Sequence, residues 1–195
     1  MEEFEIIRQA IVADEMNQEM AAKDYVPVYV AHPRARIVIA SQAPGVKAQA
    51  SRVPWDDMSG RLLRQWLDVT DEEFYTPEKF AIIPMDFYYP GKGAHGDLPP
   101  RKGFAEKWHP RLLELMPDVQ LTILIGNYAQ KYYLGKTIHK NLTETVRGHA
   151  VYLPRYFPLV HPSPLTLGWR KRNSWFEAET LPELRALVRQ ILDGV

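Results

Sequence analysis

The sequence predicts an α/β fold, a three-layer α/β/α domain around a central four-stranded parallel sheet. Three observations carry this expectation. Four short and almost wholly apolar runs, at 36–41, 80–85, 120–125 and 157–160, read as strands buried on both faces. Segments with helical spacing of apolar residues separate them, and strands that alternate with helices build parallel sheets covered on both sides. Three of the strand ends run into Gly- or Pro-rich sequence, and in open α/β sheets ligands bind beyond the carboxyl ends of strands.

In chain order, residues 3–22 form an amphipathic helix, with Phe4, Ile7, Ile11 and Met16 near helical spacing. Residues 25–33 contain proline and read as an extended connector. Ile37-Val38-Ile39-Ala40 is the first strand and ends in Ser41-Gln42-Ala43-Pro44-Gly45. A loop with Val53-Pro54-Trp55-Asp56-Asp57 leads into a helix at 59–67, whose Leu62, Leu63, Trp66 and Leu67 share a face. A turn or short helix at 71–75 precedes the second strand. The Gly/Pro-dense segment 89–101 reads as an irregular loop, and loops of that length in compact domains are commonly functional or disordered. A helix at 104–115, the third strand and a helix from Gly126 through Tyr133 follow. Asn141-Leu142-Thr143-Glu144 has capping-box form and starts a helix ending near Gly148. The fourth strand ends in His161-Pro162-Ser163-Pro164. Residues 173–179 are expected to be helical, and Thr180-Leu181-Pro182-Glu183 is a second capping box opening the last helix, to about Leu192.

Composition bounds the function. At 195 residues, with 46% apolar and 25% charged residues, the chain suits a single domain over 1–195 with one sizeable core. No apolar run approaches the roughly 18–20 residues of a membrane span, and Glu2, Glu3 and Glu5 stand where a secretory leader would be basic. With no cysteine, disulfides, thiolate nucleophiles and Cys-ligated metals are excluded, and the expected location is cytoplasmic. Net charge is zero, which argues against binding nucleic acid through bulk charge. Between Glu144 and Glu177, however, there is no acidic residue, while Arg147, Arg155, Arg170, Lys171 and Arg172 all fall inside. That segment is either a chance cluster of solvated charges or an anion-facing surface.

At the strand ends, Gly45 permits a tight turn and close backbone approach, and Pro44 stiffens it. Trp55 either stacks on a planar ligand, as aromatic rings do on bases, or is buried against the helix behind it. His161 ends a strand and is followed by two prolines flanking Ser163, a rigid loop that would aim an imidazole donor and a hydroxyl at the edge. His95, His109 and His139 lack such settings and read as surface or core residues. Walker-type, Gly-x-Gly-x-x-Gly and Gly-x-Ser-x-Gly motifs are absent, and so are histidine–carboxylate pairs with zinc spacing, so no catalytic metal is expected.

With these residues in place, the chain resembles the uracil-DNA glycosylase superfamily, particularly its small bacterial family-4-like members. Ser41-Gln42-Ala43-Pro44-Gly45 matches their first motif, Pro54-Trp55, Ser59-Gly60 and Leu62-Leu63 follow in the family's order, and His161-Pro162-Ser163 matches the closing motif. The resemblance implies cleavage of an N-glycosidic bond after a damaged base is flipped out of DNA. It implies that His161 donates to the base O2, that Trp55 stacks on the base, and that Gln42, Ala43, Pro44 and Gly45 line the pocket and position water. Ser163 would hold a phosphate, Leu165-Thr166-Leu167 would insert into the vacated stack, and Arg170, Lys171 and Arg172 would contact the backbone.

The departures from that pattern are specific. Gln42 replaces a glutamate and cannot accept a proton at neutral pH, so Asp57, or else Asp56, would supply the carboxylate. Asp57 could equally cap the following helix. Met85, followed by Asp86, falls where relatives read the uracil amide edge with asparagine. Family-4 members hold an iron–sulfur cluster through four cysteines. Two of those positions fall near Tyr88 and Phe104 here, so no cluster can be held and aromatic packing is expected to clamp the long loop instead. No lysine sits in a strand-end motif, which implies a monofunctional enzyme. The expected protein is therefore a metal-free monomer acting on DNA with a damaged base. The alternatives are a degenerate relative that binds DNA or a nucleobase without cleavage, and a small-nucleotide hydrolase reusing the fold.

Overall fold

Residues 1–94 and 96–194 are described in the computed structural model of the chain; the reading of His95 therefore lies outside the described residues. The four apolar runs pair as β1 (Ile37–Ala40), β2 (Phe80–Ile82), β5 (Leu121–Ile125) and β6 (Tyr156–Leu159). They form one parallel sheet in the order β2-β1-β5-β6. Proline shapes its edges. Pro84 has no N–H to donate and the β2 ladder ends before it, although the backbone N–H groups of Ile83, Met85 and Asp86 still donate to Ile39, Ser41 and Gln42. Pro158 is tolerated because β6 is an edge strand.

The period-two alternation of the strands produces the layers. Ile37 and Ile39, with Phe80, Ile82, Leu121, Ile123 and Phe157, pack against Leu63, Trp66 and Leu67 of α4 (Met58–Leu67) and Leu184 and Val188 of α10 (Leu181–Asp193). Val38 and Ala81, on the opposite face, pack against Phe4, Ile7 and Ile11 of α1 (Glu2–Ala13) and Phe104, Trp108 and Leu112 of α6 (Phe104–Glu114). Ala40 and Leu124 extend that face toward Ala129 and Leu134 of α7 (Gly126–Leu134). The α/β/α architecture is thus built from strands with both faces buried, as their uniform hydrophobicity implied.

Several boundaries differ from expectation for local reasons. The helix expected over 3–22 breaks at Asp14, whose backbone is extended and whose carboxylate accepts from Met16 N at 3.0 Å and pairs with Lys107, leaving α2 (Gln18–Ala21) as a separate turn. The Asn141 cap forms as expected, accepting from Glu144 N at 2.9 Å, and opens α8 (Leu142–Arg147). The Thr180 capping box does not form: Thr180 is helical, and α10 continues from a π-helical turn, Phe176–Thr180, in place of the helix expected at 173–179. Buried Phe176 pins that turn between Trp66 and Trp169, with ring centroids 5.0 and 5.3 Å away. Glu183, not needed for capping, accepts from or pairs with His149 Nε2 at 2.8 Å. The connector 25–33 is extended, and Val30 bridges antiparallel to Ile82.

His109, in the core, has a measurable consequence. Its Nε2 faces the Pro84 carbonyl at 2.9 Å, which can only accept, so Nε2 carries the proton and Nδ1 accepts from the Tyr133 hydroxyl at 2.7 Å. Burial lowers its pKa from 6.5 to about 4. The unfolded chain therefore binds this proton first, so stability is full above pH 6.5 and falls as pH drops from 6.5 toward 4. The expected loss over that window is about 3 kcal/mol. Urea unfolding of the wild type and His109→Gln between pH 7 and 4.5 checks it; equal slopes would remove the assignment.

Candidate active site

Beyond the carboxyl ends of β1, β2 and β6 lies a cavity of about 510 Å³. The turn Ser41 to Gly45 forms one wall, Pro84 and Val28 another, and Trp55, Asp57, His161 and Ser163 face the same space. The parallel sheet explains this convergence, because every strand delivers its following residues to one edge. Gly45 is not in a left-handed conformation, at φ −74°, and a Cβ there would meet nothing within 4 Å. Neither its backbone conformation nor crowding at its Cα therefore requires glycine here, and the tight turn expected of it is not what the structure shows. Gly45 leads into α3 (Val46–Ser51), a helix the sequence did not suggest.

Trp55 sits at the cavity edge in a left-handed backbone conformation, φ 59°, which for a bulky side chain is a strained position held by its surroundings. The Trp55 carbonyl accepts from the Tyr75 hydroxyl at 3.3 Å and Arg64 Nη1 at 3.4 Å. Buried Arg64 is in turn paired with Asp71 of α5 (Asp71–Phe74). Gly60 completes the hold, since a Cβ on it would lie 1.8 Å from the Trp55 carbonyl oxygen. Gly60→Ala is therefore expected to push the Trp55 loop out of place and to destabilise the fold by about 1–3 kcal/mol. Tryptophan fluorescence and a thermal midpoint check it; an unchanged emission maximum would contradict the prediction. Asp57 caps α4, its Oδ1 accepting from Gly60 N at 2.8 Å, and it also lines the cavity.

His161 follows Val160 directly after β6, and its ring lies 5.6 Å from that of Trp55. The imidazole is exposed on the cavity, and partial desolvation by the surrounding walls lowers its pKa below 6.5; the carboxylates of Asp57 and Asp97 partly offset this. The next residues are locked locally. Ser163 Oγ accepts from Leu165 N at 3.2 Å, and its carbonyl accepts from the Thr166 hydroxyl at 2.6 Å. Leu165 is 94% exposed at the rim, between the main cavity and a neighbouring one of about 430 Å³ walled by Tyr128 and Trp169.

The described residues of the segment 89–101 are more ordered than an irregular loop. They fold back as a short antiparallel pair, β3 (Lys92–Gly93) and β4 (Gly96–Asp97), placed over the cavity. Two amides hold it. Gln42 Nε2 donates to the Leu98 carbonyl at 2.8 Å, and Gln49 Oε1 accepts from Tyr89 N at 2.8 Å. Asp97 thereby joins the cavity lining, a residue that sequence reasoning missed. The signal available was Gly96 beside an acidic residue in a loop read as functional or disordered, and it did not say which way the hairpin folds.

Other residues are placed elsewhere. Met85 does not line this cavity; its side chain packs with Ala40, Ala105 and Leu124. Asp86 is fully buried and paired with Arg101. Arg170 is paired with Glu177 at 2.7 Å and lies over the Trp66 ring, because α9 (Leu167–Arg172) turns it inward. Lys171 and Arg172 are exposed and make no ion pair among the described residues. An iron–sulfur cluster does not fit the residues present, since there is no cysteine and Tyr88 and Phe104 fill the core with their rings. Among the described residues no group of three or more His, Asp or Glu side chains could hold a metal ion, and no helix is long and apolar enough to cross a membrane.

The family model described as the uracil DNA glycosylase superfamily matches residues 27–185. The chain is also similar to the solution structure of a Methanosarcina acetivorans protein described as a candidate uracil DNA glycosylase. That likeness has 15% identity and a TM-score of 0.46, and covers 82% of this chain and 94% of the other.

Proposed function

The chain belongs to the uracil DNA glycosylase superfamily, and on that premise we propose that it hydrolyses the N-glycosidic bond of uracil, or a related deaminated base, flipped out of DNA. The observation that carries this reading is the pairing of Trp55 and His161 at 5.6 Å on the wall of one cavity. An extruded base needs a flat surface to replace its lost stacking, and the Trp55 indole offers one. Cleavage leaves negative charge on the departing base. A donor already aimed at that charge in a desolvated site lowers the barrier most. The His161 imidazole, on the cavity wall with its pKa held below the ordinary value, meets that need through an N–H.

The rim supports the same reading. Leu165 presents an apolar side chain to solvent where a wedge would enter the vacated base stack. Lys171 and Arg172 can reach the phosphates on that side. The Ser163 hydroxyl, which accepts from Leu165 N, keeps its own proton for a phosphate oxygen. Gln42 lines the cavity, but its Nε2 is committed to the Leu98 carbonyl, and the amide cannot take a proton. That commitment favours a second reading, a binding protein that holds DNA or a nucleobase without cleaving it.

Incubation with uracil-, hypoxanthine- and xanthine-containing oligonucleotides, followed by alkali, separates the two. Strand scission at the modified base is the expected result. Salt-sensitive binding without scission would replace it with the second reading. Hydrolysis of free nucleotides with no dependence on the oligonucleotide would overturn both.

A further inference from the structure

We propose that Asp97 is the general base that takes the proton of the attacking water, an assignment that rests on the glycosidase reading. Hydrolysis needs a proton acceptor beside the sugar carbon, and a carboxylate at the cavity wall suits that task. Among the described residues two acidic side chains line the cavity, Asp57 and Asp97, and Asp56 precedes the first of them. Asp56 is exposed and does not line the cavity. Asp57 lines it, but one of its oxygens is committed to capping α4 through Gly60 N. Asp97 lines it with Oδ2 making no hydrogen bond among the described residues, while Oδ1 accepts from the Tyr89 hydroxyl at 3.4 Å.

The hairpin places this carboxylate beside the turn after β1. Gln42 Nε2 donates to the carbonyl of Leu98, the residue following Asp97, which ties the hairpin to the turn after β1 one residue from the carboxylate. The backbone around it is braced, with Leu98 N donating to Gly91 O at 2.9 Å and Lys92 paired in register with Asp97. Asp97 and His161 line the same cavity. The turn's glutamine thus acts as a positioning residue that holds the hairpin, and the hairpin supplies the acid the turn lacks.

The step balances without any further reactant. The water oxygen bonds to the sugar C1′ as the C1′–N bond breaks, and that bond's electron pair leaves on the base. His161 N–H stabilises the base anion, which then takes a proton from solvent. The water proton passes to the Asp97 carboxylate and on to solvent, leaving a C1′ hydroxyl and a free base.

The test is single-turnover base release from the three modified oligonucleotides by wild type, Asp97→Asn and Asp97→Glu. Asparagine keeps the size and the hydrogen-bonding capacity of an exposed side chain, so the variant is expected to fold, as circular dichroism would verify. The expected result is a rate at least about 100-fold lower for Asp97→Asn with the oligonucleotide Kd within about threefold, and partial recovery in Asp97→Glu. A wild-type rate in Asp97→Asn overturns the assignment and leaves the glycosidase reading standing. Equal losses of rate and binding also overturn it, making Asp97 a binding residue. No base release by the wild type overturns both.

Discussion

His161→Ala is expected to slow base release by about 10²–10³-fold while leaving oligonucleotide affinity within a few-fold. The asymmetry follows from where the imidazole sits. It opens to the cavity beside Trp55 and makes no side-chain hydrogen bond among the described residues, so removing it does not open the core. What is lost is an N–H aimed at charge that exists only as the bond breaks, and such a group affects the chemical step more than binding. The rigid Pro162-Ser163-Pro164 frame, with Ser163 N donating to His161 O at 2.9 Å, holds that donor without rearrangement. Measurement of single-turnover rates beside fluorescence anisotropy separates the two quantities. A variant that keeps the wild-type rate would show that His161 takes no part in the reaction.

The second large effect is on stability. Asp86→Ala is expected to lower the unfolding free energy by about 3–5 kcal/mol, because it strands one half of a buried ion pair. Asp86 is 0% exposed and both its oxygens are fully used. Arg101 donates Nε to Oδ2 at 2.7 Å and Nη2 to Oδ1 at 2.8 Å, while the backbone N–H groups of Tyr88 and Arg101 each donate at 3.1 Å. Arg101 also lies over the rings of Tyr88 and Phe104, at 5.3 and 4.8 Å, and those rings meet edge to face.

Ion pair and rings together close the base of the segment that carries the β3–β4 hairpin. This is the region where cluster-bearing relatives place two of their cysteines. Aromatic packing alone was the expected clamp; the structure adds a charged one that local sequence could not reveal. Replacing either ring with alanine is expected to cost about 3–5 kcal/mol as well. Since a domain's whole stability is about 5–15 kcal/mol, any of the three changes should markedly lower the urea midpoint. A shift below about 1 kcal/mol for Asp86→Ala would mean that Arg101 finds another partner and that the clamp is not held by charge.

The difference between these two sites shows what is legible in a chain read alone. His161 was visible because its neighbours along the sequence, two prolines and a serine, make its rigidity local. Trp55 was visible for the same reason, as an aromatic after proline before a Ser-Gly helix start. Asp57 was visible with two meanings, and the structure keeps the capping bond while leaving the side chain in the cavity. Leu98 and Arg101 were not visible as partners of Gln42 and Asp86, because those contacts join separated positions of the chain through a loop with no periodicity. Thr180 misled for the opposite reason: a good local capping pattern was overridden by the burial of Phe176.

The sequence by itself determined the α/β class, the four buried strands, and the edge where Gln42, Trp55 and His161 would meet. Apolar runs must be buried and parallel strands must end on a common side, and both requirements are local. Only the tertiary structure decided which side chains remain available for chemistry at that edge. Gln42 is tied to Leu98, Asp57 to Gly60, Arg170 to Glu177, and Met85 faces the core, while Asp97 is carried over the cavity. A side chain's role depends on the partner that has already claimed its polar atoms, and that partner is chosen by packing in three dimensions.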